Sequence, residues 1–225
     1  MLAEFVQGRR KLEEIPNLIF KKNGKIITTP RKWTKNLDNM PFPVYDENVY
    51  LSMRGNQKVK VIVFDDSRGC NNKCAFCYHP WKGGNFIRTK TAKRIVDEME
   101  SMITKYGISS FRFAGSNPPP KLIESIADEI IERGLKVSYF FMTRADFWDE
   151  ERFRKIKRSG ALSIFFGIES GSQYLLDKIN KNYTVDLIKR TVMSAKKAGI
   201  FVIGSFIFPL LFISIYFPFI FFSKF

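Results

Sequence analysis

The sequence has too little cysteine for a disulfide framework. Its three cysteines, Cys70, Cys74 and Cys77, fall within eight residues as C-N-N-K-C-A-F-C. Such crowding cannot tie distant parts of a chain together. Histidine is scarcer still: His79 is the only one, and two residues past Cys77 it is cramped as a fourth zinc ligand. Residues 1–20 carry charges throughout and contain no apolar stretch of a secretory signal. Unpaired cysteines without an export signal suit a reducing cytoplasm. Acidic residues are also short, 22 against 37 Lys and Arg, which leaves a net charge of +15. A basic balance suits an anionic partner such as nucleic acid, a nucleotide or a membrane surface. The basic residues are nevertheless spread along the chain, the pattern of a solvated lysine-rich surface. Charge is absent from Ala198 to Ser223, and nine of the last 25 residues are Phe. That run is long enough to span a bilayer. Its first third is needed as a strand, however, and the rest, interrupted by Pro218, follows neither helical nor strand periodicity. A membrane anchor is the weaker reading of it.

What is present suffices for one domain with a sizeable core, or for a domain plus an arm. Residues 1–57 read as an arm. Lys21–Lys25 and Thr29–Lys35 are polar, basic and turn-rich, and Pro41 and Pro43 beside Phe42 and Tyr45 suggest an extended, partly docked linker. From Lys58 the pattern changes. Val59, Val61 and Val63 alternate up to Phe64, which predicts a strand. Helices are predicted over 91–106, 121–133, 150–159 and 184–198, with Gly107, Gly134, Gly160 and Gly199 as stops. Strands are predicted over 109–113, 136–142, 162–167 and 201–208. The alternation predicts an α/β fold of parallel strands with right-handed crossovers. In such folds the loops after the strands gather at one rim. The cysteine loop follows the first strand, and Asp65–Arg68, Ala114–Asn117, Thr143–Asp146 and Glu169–Ser172 follow the first four.

Three thiolates on one tight loop can hold three irons of a four-iron cluster and leave the fourth iron open to a small chelating ligand. Structural zinc is the alternative, and it usually takes a fourth protein ligand.

Cys70–Cys77, with aromatic Phe76 before the last cysteine, resembles the radical S-adenosylmethionine (SAM) superfamily, and the likeness extends over about residues 59–208. The resemblance implies a partial parallel (β/α) barrel with an irregular N-terminal arm. It implies that Cys70, Cys74 and Cys77 ligate a [4Fe-4S] cluster whose free iron chelates the amino and carboxylate groups of SAM. An electron, from a donor such as flavodoxin or ferredoxin, then cleaves a carbon–sulfur bond to give methionine and a 5′-deoxyadenosyl radical. Further site residues follow by position. Phe76 lies by the adenine or only anchors the loop. Gly115, Ser116 and Asn117 stand where the family binds the methionine amino group, although the acid often found there is missing. Glu169, with Ser170, falls in the segment that meets the ribose or carboxylate. Arg144 holds the SAM carboxylate or pairs with Glu169.

Within the superfamily, Leu12–Phe20, Asn23–Ile26, Leu37–Pro43 and Phe166–Gln173 resemble the group that carries an N-terminal cobalamin-binding domain. This implies three parts: 1–57 as the end of that domain and its linker, 58–208 as the radical SAM core, and 209–225 as an aberrant apolar tail. The chain is then expected to be a truncated fragment without its cobalamin domain. After the last strand the family's Gly-Pro-Gly-Glu-Thr-like turn is replaced by the Phe/Ile tail. The implied reaction is methylation or rearrangement of an unactivated carbon. A radical enzyme transferring methylthio groups to RNA, a non-catalytic metal-binding remnant, and a zinc-binding nucleic-acid module are the alternatives.

Overall fold

The computed structural model describes residues 2–45, 60–115 and 117–208. Val59, Ser116 and the tail from 209 therefore lie outside the described residues. The chain divides into two compact units, 1–35 and 36–225.

The first unit has a short helix α1 (Leu2–Val6), a 3-10 turn at Leu12–Glu14, and a hairpin of β1 (Ile19–Lys22) and β2 (Lys25–Thr28). Phe20 pairs with Ile27 across it. Asn23 and Gly24 both have positive φ, 48° and 78°, as a two-residue type I′ turn requires. The sequence reading saw only a turn-rich arm here. Asn-Gly between short apolar runs was the signal for a hairpin.

The second unit is built on a sheet in the order β3-β6-β7-β8-β9, all neighbours parallel. These strands are β3 (Val61–Phe64), β6 (Ser110–Phe113), β7 (Ser138–Thr143), β8 (Ala161–Glu169) and β9 (Phe201–Phe206). The connecting helices are α3 (Ala92–Tyr106), α4 (Pro120–Glu132), α5 (Glu150–Arg158) and α7 (Val185–Lys197). This is the predicted α/β alternation. β9 ends at Phe206 rather than Phe208, because its pairing with β8 stops where Glu169 meets Phe206, just after a register shift.

The helix boundaries follow local chemistry. Thr91 and Thr184 accept hydrogen bonds from the backbone N–H of Arg94 and Leu187, and Asp149 does so from Arg152. The N–H of Gly107 closes α3 on the carbonyl of Ile103 from a left-handed conformation. Ile95, Val96, Met99 and Met102 of α3 and Ile123, Ile126, Ala127 and Ile130 of α4 recur at helical spacing and are buried. They pack in one core with Phe64, Phe111, Phe113, Tyr139, Phe141 and Phe166 from the strands. Hence one face of the sheet is covered by helices. The other, carrying Val61 and Val63 at 42% and 46% exposure, is open among the described residues.

Residues 36–45 dock against this unit. Asp38 accepts from the N–H of Thr91, Arg94 donates to the carbonyl of Met40 and lies 4.0 Å over the Phe42 ring, and Tyr45 donates to the carbonyl of Val63. Arg94 and buried Lys90 both pair with Glu98, which is wholly buried. Two cations on one carboxylate satisfy its acceptor sites, the condition under which burial of a charge is tolerated. No described helix is long and apolar enough to cross a membrane.

Candidate functional site

The cysteine loop leaves β3 through Asp65, Asp66 and a short pair of strands, β4 (Ser67–Arg68) with β5 (Arg88–Thr89), and runs on into a short helix, α2 (His79–Gly83). Gly69 has φ 84°, and a Cβ there would run into the carbonyl oxygen of Phe86. Only glycine turns the chain into Cys70 at that approach. The loop is then held by three backbone bonds, two to neighbouring segments and one across its own turn. Cys70 N–H donates to Gly84, Cys77 N–H to Cys74, and Ala75 N–H to Ile179 at 2.9 Å. Ile179 ends a helix the sequence reading missed, α6 (Gln173–Lys178). At one and a half turns, with only Leu175 and Leu176 buried, it gives too short a periodic run to read.

All three cysteines are free thiols. Cys70 is buried, and Cys74 and Cys77 are half-buried. Burial pushes the Cys74 thiol up, while Lys181 and Arg144 pull it down. Arg144 Nη1 lies 3.6 Å from Cys74 Sγ. Asn72 Nδ2 lies 3.4 Å from Cys70 Sγ. Among the described residues no three His, Cys, Asp or Glu side chains converge on the position of a single ion. Three thiols beside two cations fit an anionic iron–sulfur group.

The predicted rim loops come together around this one. Arg144 is buried. It pairs with Asp146 at 3.0 Å, donates to the Lys181 carbonyl, and lies 4.7 Å over the ring of Tyr183. The pairing of Glu169 with Arg144 is not made. Glu169 is buried and takes Lys181 instead, at 2.8 Å, with Ser205 Oγ at 3.4 Å from its other oxygen. The chain turns there through a positive φ of 65° at Glu169. Lys181 Nζ also lies 5.7 Å over the ring of Phe76, which is 43% exposed. Lys181 thus joins the loop residue Phe76 to the carboxylate after β8. Sequence reasoning missed it, because a lysine in K-I-N-K-N looks like one more surface cation. Ser170 is buried and caps the N–H of Ser172. Asn117 accepts from the N–H of Arg144 at 3.3 Å and the hydroxyl of Thr143 at 3.4 Å.

Gly115 meets a second residue that sequence reasoning missed, Asp66. The Gly115 N–H donates to Asp66 Oδ1 at 2.7 Å, and Ser67 Oγ donates to Oδ2 at 2.8 Å. A Cβ on Gly115 would strike both the Ser67 hydroxyl and the Asp66 carboxylate. Asp66 has no exposure, and its burial raises its pKa from the ordinary 3.8 to about 6. Asp66 thereby ties the start of the cysteine loop to the start of the 114–117 loop.

The architecture and the loop are those of a known group. Residues 66–214 match the Radical SAM superfamily, well over half of the chain. The chain belongs to the radical SAM superfamily. Members of this superfamily are enzymes that bind a [4Fe-4S] cluster and SAM. The chain is 30% identical over 212 residues to an uncharacterized methyltransferase of Pyrococcus horikoshii, covering 92% of this chain and 45% of that protein. Its fold is similar to that of the cobalamin-dependent S-adenosylmethionine radical enzyme OxsB, with a TM-score of 0.75 at 18% identity, covering 92% of this chain and 31% of that one. The radical SAM methyltransferase TsrM from Kitasatospora setae gives 0.71 at 19%, covering 91% and 44%. The chain spans less than half the length of each.

Proposed function

We propose that this chain is the SAM-cleaving core of a radical SAM enzyme whose reaction is methylation or rearrangement of an unactivated carbon. The observation that carries the reading is the free-thiol loop itself. It is fastened at one rim, within reach of Arg144 and Lys181 and beside the carboxylate of Glu169. Cys70, Cys74 and Cys77 would hold the cluster. When bound, the cluster supplies the low-potential electron that cleaves SAM.

The remaining work falls to the chain's own residues. Phe76 offers an exposed ring on the loop itself, suited to the adenine. Glu169 offers carboxylate oxygens to ribose hydroxyls. Arg144 and Lys181 are buried cations beside the loop, suited to the carboxylate of SAM. Gly115 and Asn117 begin the loop that would face its amino group, and Ser116 belongs to the same segment. Ser170 fixes the turn that follows Glu169. The electron would come from a small donor protein such as flavodoxin or ferredoxin, in the cytoplasm, where unpaired thiols persist. Methylation is favoured by the name of the methyltransferase relative, and cobalamin belongs to the similar solved proteins.

The test is chemical. The purified chain is reconstituted anaerobically with iron and sulfide, reduced with dithionite and given SAM. Release of methionine and 5′-deoxyadenosine is expected. Zinc taken up in place of iron, or a cluster that leaves SAM intact, would contradict the proposal.

A further inference from the structure

Two rings and two cations alternate beside the cysteine loop. Lys181 Nζ lies 5.7 Å from the centroid of Phe76 and 5.5 Å from that of Tyr183, and Arg144 Cζ lies 4.7 Å over Tyr183 as well. Among the described residues no other ring meets both cations. Tyr183 is buried. Its hydroxyl donates to the carbonyl of Gly167, two residues before Glu169. Its backbone is held by Gln173, the first residue of α6. The Gln173 amide donates to the Tyr183 carbonyl at 3.4 Å and accepts from the N–H of Val185 at 3.0 Å. The ring is therefore fixed by β8 at its tip and by α6 at its root. Burial raises the pKa of the phenol, so the hydroxyl stays protonated and keeps its bond.

A buried tyrosine that only fills space has other company. Tyr139 stacks on Phe113 and Phe141 and bonds the Ser159 hydroxyl. Tyr183 faces two charges from separate segments. Each of those cations already has one carboxylate, Asp146 for Arg144 and Glu169 for Lys181. A further carboxylate at position 183 would cancel the charge left for a ligand. A ring face attracts a cation through its quadrupole and adds no net charge. The guanidinium is also left with donors. Its Nε bonds Asp146, Nη2 bonds the Lys181 carbonyl, and Nη1 approaches Cys74 Sγ. Each Nη carries a second N–H, and among the described residues neither has a further acceptor. Aimed together, they suit an incoming oxyanion.

Resting on the radical SAM reading, we infer that Tyr183 is a positioning residue for SAM, whose ring holds Arg144 and Lys181 in the orientation that receives the carboxylate of SAM. It acts through the two cations and touches no ligand itself.

The experiment uses the full chain, reconstituted, and two probes: SAM and decarboxylated SAM, which lacks the carboxylate. Affinities are measured by anaerobic equilibrium dialysis. Tyr183→Leu should weaken SAM about tenfold, the worth of a desolvated cation–π contact, and leave decarboxylated SAM unchanged. Tyr183→Phe keeps the ring and should keep the wild-type ratio of the two affinities. Because the leucine variant empties a buried site, a second series carries the decision. Position 183 is filled with phenylalanines of increasing ring fluorination, which keep the ring's outline and drain negative charge from its face. SAM affinity should fall stepwise along the series while decarboxylated SAM holds constant. A flat SAM affinity along the series overturns the inference, as does an equal loss for both probes, the mark of a merely structural role. Electron paramagnetic resonance of the reduced cluster, recorded on the same samples, separates the two readings. A wild-type signal that changes with SAM leaves the radical SAM reading standing, so that a flat series then sinks the inference alone. A wild-type signal indifferent to SAM sinks that reading and the inference with it.

Discussion

Replacing Asp66 with asparagine should stabilise the protein at neutral pH. The carboxylate is wholly buried and accepts from Gly115 N–H and Ser67 Oγ. These bonds favour the charged form, yet desolvation outweighs them and raises the pKa from 3.8 to about 6. Between those values the folded chain binds the proton more tightly than the unfolded chain. Stability therefore falls as pH rises from about 4 to about 6 and is flat above. That gap corresponds to about 3 kcal/mol. Asparagine keeps Oδ1 for the Gly115 N–H. Its amide can donate to Ser67 Oγ once that hydroxyl turns. Urea unfolding of Asp66→Asn and wild type, followed by far-UV circular dichroism from pH 4 to 8, is the assay. The variant should gain about 2–3 kcal/mol at pH 7 and lose most of the slope between pH 4 and 6. A variant less stable than wild type at pH 7, with the slope intact, would refute the reasoning. It would mean that the charge of Asp66 is needed where it lies.

Three further outcomes are expected. Changing Cys74 to alanine should leave the reconstituted protein without a SAM-responsive cluster, read by iron content and by electron paramagnetic resonance. Lys181→Met strands the Glu169 carboxylate, both partners being almost fully buried. It should cost roughly 3–5 kcal/mol in urea unfolding, much of it restored when Glu169→Gln is added. Gly115→Ala must displace Asp66 and Ser67. It should weaken SAM binding, measured by equilibrium dialysis, more than it lowers the melting temperature.

Much of the sheet was legible because its elements declare themselves locally. Ile95, Val96, Met99 and Met102 repeat at helical spacing between Thr91 and Gly107, so that cap, period and stop agree. The hairpin at Asn23-Gly24 is equally local, yet its strands, each four residues long, carry too little alternation to predict it. The site was legible where chemistry is compressed into a short motif, as in Cys70–Cys77. Its other parts are pairings across long separations in the chain: Lys181 with Glu169, Asp66 with Gly115 over 49 residues, Arg144 with Cys74 over 70. Nothing in a local window distinguishes Lys181 from Lys178, or Asp66 from Asp65. Only the fold selects which of each pair is buried. Arg144 and Glu169 could be singled out as rim residues, but which cation meets which anion depends on the turn after α6.

The most direct test of the account is electron paramagnetic resonance of the anaerobically reconstituted, dithionite-reduced chain, with and without SAM. The account predicts a reduced four-iron signal whose shape changes when SAM is added, because three thiolates leave one iron open to it. A cluster signal indifferent to SAM, or a protein that holds zinc and no iron, would contradict it.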